Sequence, residues 1–278
     1  MGLMGFEKIE GCLQTLETCM VASQGKREFI SLSRCRLHDS SSSHLCFALN
    51  FFRRTFYFSN VVAALEELHT ENIAHRDIMP ENIVIASDGY LKVCDFGTAK
   101  KLERHERAHT LCGAAEYCPP EMVQSSTHGR EVDLWKLGLL FYEMFACCTP
   151  FDGENNKIIF ELISSYAEIS TKEGRARRLQ KAKANMDEDE INLLLGLLEV
   201  NPMRRLGSGA RGIQTVAEHP LLIGYFQSCK IKSESAPWVP DSHLYYGGTQ
   251  NFEIVERKKA EWIQGPVYTG LQERFEIF

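Results

Sequence analysis

The chain has 278 residues, is 44% hydrophobic and carries a formal charge of −6, so it has enough apolar material for a buried core. That balance argues against nucleic-acid binding, which needs a basic face, and it suits protein substrates that bear Arg or Lys. The longest apolar stretch, residues 137–148, contains Glu143 and is too short and too polar to span a bilayer.

The first fifty residues carry weak signals. Leu13, Leu16 and Met20 recur periodically, and Ser40-Ser41-Ser42-Ser43 then reads as a loop or disordered tract. Met1-Gly2 opens a myristoylation pattern, but Phe6 stands where Ser or Thr is required. From Phe56 the pattern sharpens. Phe58, Val61, Leu65 and Leu68 form one face of a helix expected to end near His69. Ile83-Val84-Ile85 and Tyr90-Leu91-Lys92-Val93 flank Ser87-Asp88-Gly89, which predicts a hairpin.

Beyond Pro119-Pro120 helical patterns dominate. Residues 133–147 are apolar nearly all round, through Leu134, Leu137, Leu139, Leu140, Phe141 and Met144, as in a buried helix. Cys147-Cys148 in that run read as small buried hydrophobes. The ten cysteines include no CxxC pair and follow no secretory signal, which predicts a reducing compartment and no structural zinc. Ile191, Leu194, Leu195 and Leu198 mark another helix, stopped by Asn201-Pro202. From about Gly224 the chain reads as an aromatic-rich tail with few helix signals. No internal repeat is present.

The chemistry concentrates in His75-Arg76-Asp77-Ile78-Met79-Pro80-Glu81-Asn82 and, thirteen residues after Asn82, in Asp95-Phe96-Gly97. In this order, with a helix before them and a hairpin between, these motifs resemble the catalytic loop and metal-binding tripeptide of eukaryotic protein kinases. The resemblance implies an α+β, protein-kinase-like fold: a mainly helical large lobe with a small β-hairpin at the cleft and an incomplete small lobe. It divides the chain into an irregular segment 1–53, a large lobe 54–225 and a tail 226–278. It implies ATP-dependent phosphorylation of Ser or Thr in proteins, with ATP and Mg²⁺ as cofactors. Asp77 would accept the proton of the attacking hydroxyl, and Asn82 and Asp95 would hold Mg²⁺ as hard oxygen ligands. His75 and Phe96 would pack the loop.

Thr110-Leu111-Cys112-Gly113-Ala114-Ala115-Glu116-Tyr117 resembles the activation segment of AGC kinases, the cyclic-nucleotide-dependent ones above all. Thr110 stands at the position phosphorylated in that group, where Arg76 and Lys100 would pair with the phosphate. Arg107, three residues earlier, gives the site a basic context. By the same resemblance Glu121 of Pro119-Pro120-Glu121 would pair with Arg205, and Asp133 would bind the backbone of the catalytic loop. Glu81, Glu116 and Glu161 match positions that hold Arg of the substrate. The implied partners are proteins with Arg or Lys before the target residue and a regulatory subunit or domain, in the cytoplasm or nucleus. The end, Phe275-Glu276-Ile277-Phe278, resembles the Phe-x-x-Phe tail that cyclic-AMP-dependent kinase docks on its small lobe.

Three departures bear on activity. Met79 replaces the lysine that serine/threonine kinases carry two residues after the catalytic Asp; losing one such contact costs roughly 3 kcal/mol, about a hundredfold in rate. Ala114 replaces a threonine that bonds that lysine and the Asp. No Gly-x-Gly-x-x-Gly is found, and the lysines ahead of the loop, Lys8 and Lys26, lie in no Val-Ala-x-Lys strand. Weak or absent activity is therefore expected, with a pseudokinase or docking module as the alternative.

Overall fold

The spacing of Phe58, Val61 and Leu65 is realised in helix α1, Phe51–Thr70, in a computed structural model that describes residues 30–31, 51–86, 88–103, 106–124, 127–232, 235–237 and 239. The serine run, the early apolar repeats, Lys8, Lys26 and the final Phe-x-x-Phe lie outside the described residues. Phe56, Phe58, Val61, Val62 and Leu65 are all buried. The helix is followed at Asn72 by a left-handed residue (φ 61°), which turns the chain into strand β2, Ile73–Ala74.

Two small antiparallel sheets follow. In one, β1 (Ile30–Ser31), β3 (Ile83–Ile85) and β4 (Leu91–Val93) lie in the order β1-β3-β4, with Ile83 opposite Val93. The predicted hairpin is thus β3–β4, closed by Ala86 N–H donating to Tyr90 O (2.9 Å) and Gly89 N–H to Ala86 O (2.8 Å). Gly89 adopts φ 80°, a conformation that side chains resist. In the other sheet β2 pairs with β5 (Lys100–Lys101). The segment 75–82 runs from β2 to β3 and the segment 94–99 from β4 to β5. Because β2 pairs with β5 and β3 with β4, both motif segments are held side by side.

The helices pack around these loops. Pro120–Val123 forms α2, with Pro in the first turn where its missing N–H costs nothing. Helix α3, Glu131–Ala146, is buried at every residue from Val132 onward. It meets α1 through Phe58 and Phe141, ring centroids 4.6 Å apart, and its Trp135 stacks on Phe151. Helices α4 (Asn156–Ala167), α5 (Lys172–Arg178), α6 (Gln180–Lys183) and α7 (Glu188–Leu197) come next in the chain. Asp187 and Glu190 cap α7 reciprocally, each side chain accepting the other's backbone N–H. Helix α8, Gln214–Ala217, follows.

Two expectations are corrected. Cys147 is exposed, in the left-handed cap of α3 (φ 57°), and Cys148 is half-buried, because the helix ends before the apolar run does. Cys94, Cys112, Cys118, Cys148 and Cys229 are free thiols, whereas Cys147 is disulfide-bonded. The chain also stays helical past Gly224, in α9, Ile223–Ile231. Its Phe226 and Cys229 are buried against α1, and Asn60 Nδ2 of α1 lies 3.0 Å from Cys229 Sγ. Tertiary packing supplies what the weak periodicity does not. Among the described residues no helix is long and apolar enough to cross a membrane.

Candidate active site

Asp133, fully buried in the first turn of α3, organises the loop above it. Its Oδ2 accepts the N–H of His75 (2.9 Å) and lies 2.9 Å from His69 Nε2, while Oδ1 accepts the N–H of Arg76 (2.7 Å). Burial alone would raise its pKa, but the His69 hydrogen bond and the neighbouring charges hold it below the ordinary carboxylate range. Arg76 needs that support because it sits at φ 66°, which costs a non-glycine residue about 1–3 kcal/mol. A second clamp ties the two motif segments: Arg76 Nε donates to Thr98 O (2.6 Å), and Thr98 Oγ1 donates to His75 O (2.9 Å).

His75 is fully buried, and its ring meets Phe96 edge-on at 4.8 Å. Asp77 N–H donates to His75 Nδ1 (3.3 Å), so Nε2 carries the proton and donates to Cys94 O (3.2 Å). Burial pushes the imidazole below its usual pKa, against the pull of Asp133. A neutral ring fits both contacts. A protonated one would turn Nδ1–H toward another N–H.

Asp77 is fixed by Asn82, whose Nδ2 donates to both Asp77 O and Asp77 Oδ2, each at 2.8 Å. The amide nitrogen of Asn82 is thereby committed, so its carbonyl oxygen is the side-chain atom that could ligate a cation. Cys94 N–H donates to Asn82 O (2.8 Å), which brings the neighbouring Asp95 to the same loop. Asp95 is exposed at φ 62°, and its Oδ1 accepts Gly97 N–H at 3.1 Å. Two hard oxygen ligands fit Mg²⁺, which keeps waters and takes phosphate oxygens for the rest. Among the described residues no cluster of three or more His, Cys, Asp or Glu could hold a metal without such help.

Met79 and Ala114 are half-buried and pack against the hydrophobic core. The charge that does reach Asp77 comes from a residue the motifs did not single out. Lys136, fully buried in α3, places Nζ 3.7 Å from Asp77 Oδ1. A lysine between Trp135 and Leu137, in a mostly apolar helix, was the available signal. Burial lowers its pKa, partly offset by the Asp77 carboxylate.

The remaining predicted residues are more dispersed. Thr110 is exposed. Arg76 Nη1 is buried without a hydrogen-bond partner, whereas Lys100 pairs with Glu106 at 3.3 Å and Arg107 pairs with Glu131. Glu81 is exposed at the start of a 3₁₀ turn, Glu116 accepts from Thr149 Oγ1 (2.9 Å), and Glu161 lies on α4, 4.0 Å from Lys157. No described contact joins these three acids. Glu121 and Arg205 form a buried bidentate pair, at 2.7 and 2.8 Å, and the Arg205 guanidinium also lies 5.2 Å from the Trp135 ring centre.

The protein kinase domain family matches residues 23–222, beginning well upstream of the point where motifs become legible. The cAMP-dependent protein kinase catalytic subunit of Dictyostelium discoideum is 34% identical over 220 residues, covering 78% of this chain and 32% of that protein. The cAMP-dependent protein kinase catalytic subunit PRKX of Homo sapiens is 36% identical over 206 residues, covering 71% and 51%. The serine/threonine-protein kinase AtPK1/AtPK6 of Arabidopsis thaliana is 34% identical over 185 residues, covering 64% and 37%. The chain spans about a third to a half of the length of these relatives. Match and relatives agree with the loop geometry: the chain belongs to the protein kinase superfamily and is AGC-like.

Proposed function

We propose that the chain acts as the catalytic lobe of a protein serine/threonine kinase, transferring the ATP γ-phosphate to Ser or Thr at a depressed rate. The observation that supports this most is the Asp77–Asn82 pair, in which one amide nitrogen orients the carboxylate and leaves an oxygen for the metal. A carboxylate offers about four lone-pair sites, so Asp77 keeps capacity to accept the substrate hydroxyl proton. Mg-ATP, when bound, supplies the phosphoryl group and neutralises its developing charge. Asn82 and Asp95 would hold the cation, and Asp133 with Thr98 holds the two motif segments in register. We take residues 54–225 as the lobe and 226–278 as a tail whose first turns, through Phe226 and Cys229, close on α1. The setting is the cytoplasm or nucleus, with a regulatory subunit or domain as a further partner.

The substrate class follows from charge. Glu81, Glu116 and Glu161 give a dispersed acidic surface for Arg or Lys ahead of the target residue. Thr110 accepts an activating phosphate, and the free Nη1 of Arg76 is the donor that supports this reading. A second reading, a docking module without turnover, is favoured by Met79, whose uncharged side chain packs into the core where the family carries an ammonium. Transfer from Mg-ATP by the purified chain onto paired peptides, identical except for Arg before the target Ser, tests the proposal. Slow transfer with preference for the Arg peptide is expected. Equal transfer removes the substrate assignment, and none at all leaves the docking module.

A further inference from the structure

Lys136 is an anomaly in its own helix. Its neighbours Trp135 and Leu137 are buried apolar residues, and its side chain is 0% exposed. A buried ammonium costs several kcal/mol unless an anion faces it. The groups that face it are Asp77, Cys118, Asp133 and Cys112. The Asp133 oxygens are already occupied by His69, His75 and Arg76. Burial pushes the Cys118 thiol up to about 12, so it brings no charge. Asp77 is the remaining anion.

The match is reciprocal. Asp77 Oδ1 and Lys136 Nζ are both buried without a hydrogen-bond partner, 3.7 Å apart. Gly113 makes room for them: a Cβ there would lie 2.5 Å from Asp77 Oδ1 and 2.7 Å from Lys136 Nζ. Its φ of 83° also excludes ordinary side chains. Cys112, Gly113 and Ala114, the stretch of chain at this point, bring no hydroxyl or ammonium of their own.

We propose that Lys136 is a positioning residue that tethers the Asp77 carboxylate through Oδ1, opposite the Asn82 contact at Oδ2. The two contacts fix the carboxylate plane from both oxygens. Nζ approaches from the α3 side of the loop and reaches the reaction through Asp77. The inference takes from the proposed function only that Asp77 is the base.

The tether is tested without turnover. In the nucleotide-free protein, the side-chain amide of Asn82, which donates to Asp77 Oδ2, is followed by NMR in the native chain, in Lys136→Met, which keeps length and removes charge, and in Lys136→Arg. With Oδ1 released the carboxylate turns, so the Asn82 amide resonance is expected to shift in Lys136→Met and to keep its native position in Lys136→Arg. Asp77→Asn should lower the melting temperature by stranding the ammonium, and adding Lys136→Met should recover it. An Asn82 amide resonance unmoved by Lys136→Met, or additive melting shifts, overturns the tether. A shifted Asn82 resonance in a chain that transfers no phosphate leaves the tether standing and removes the proposed function alone.

Discussion

The Asp133 carboxylate and the backbone N–H of Arg76 meet at 2.7 Å beneath the catalytic loop, and Arg76 holds its left-handed conformation partly on that bond. Removing the carboxylate orphans two buried N–H groups and the His69 ring. Each such loss costs about 1–3 kcal/mol. Asp133→Ala is expected to lose about 3–5 kcal/mol in urea unfolding, and Asp133→Asn less. Loss below about 1 kcal/mol in the alanine variant would show that the loop is held elsewhere.

Stability should fall on mild acidification. His75 is buried and neutral, its pKa below the usual value, so near pH 6.5 the unfolded chain takes up a proton that the folded chain refuses. Its contribution is present above about pH 6.5 and is lost as pH falls through the folded value, by at most about 1.4 kcal/mol per pH unit. Asp133, also shifted down, adds a later loss below about pH 4. Chemical denaturation between pH 7.5 and 5 measures the first slope, and His75→Gln should reduce it. His219, lowered by burial as well, adds to the slope.

Glu121 and Arg205 bind each other away from water. Breaking a buried pair from one side costs about 3–5 kcal/mol, whereas replacing both partners by apolar groups costs far less. Glu121→Leu should therefore destabilise strongly, and Glu121→Leu with Arg205→Met should recover most of the loss. Additive effects in thermal melts would contradict this account.

A phosphate on Thr110 should recruit Arg76, whose Nη1 is free, and draw Lys100 from its exposed pair with Glu106. Surface pairs of that kind hold by less than about 1 kcal/mol. Chain phosphorylated at Thr110, verified by mass spectrometry, should melt higher than the unmodified chain. Arg76→Lys should erase most of the difference. An equal rise in the variant would place the phosphate elsewhere.

Much of this was legible in the sequence, and for physical reasons. Periodicity exposed α1, the β3–β4 hairpin and α3 because each has one environment along its length. The motif spacing put Asp77 and Asn82 before the hairpin and Asp95 after it, whereas the two-residue strands β2 and β5, whose pairing draws these segments together, are too short to leave a periodic signal. Helix α9 was missed because its burial rests on two residues, Phe226 and Cys229, packed on a helix far away in sequence. Cys147 was misread because an apolar run outlasts the helix that carries it. Lys136 was passed over because it sits inside an apolar helical run, and only the three-dimensional path of α3 beneath Asp77 reveals what its charge faces.

In the proposed function Asp77 works as the base beside an uncharged Met79. The most direct measurement is the initial rate of Mg-ATP-dependent transfer to an Arg-bearing serine peptide by the native chain and by Asp77→Asn. The predicted result is slow transfer, about a hundredfold below a kinase with the lysine that Met79 replaces, and its loss in Asp77→Asn. Transfer undiminished by Asp77→Asn would contradict it.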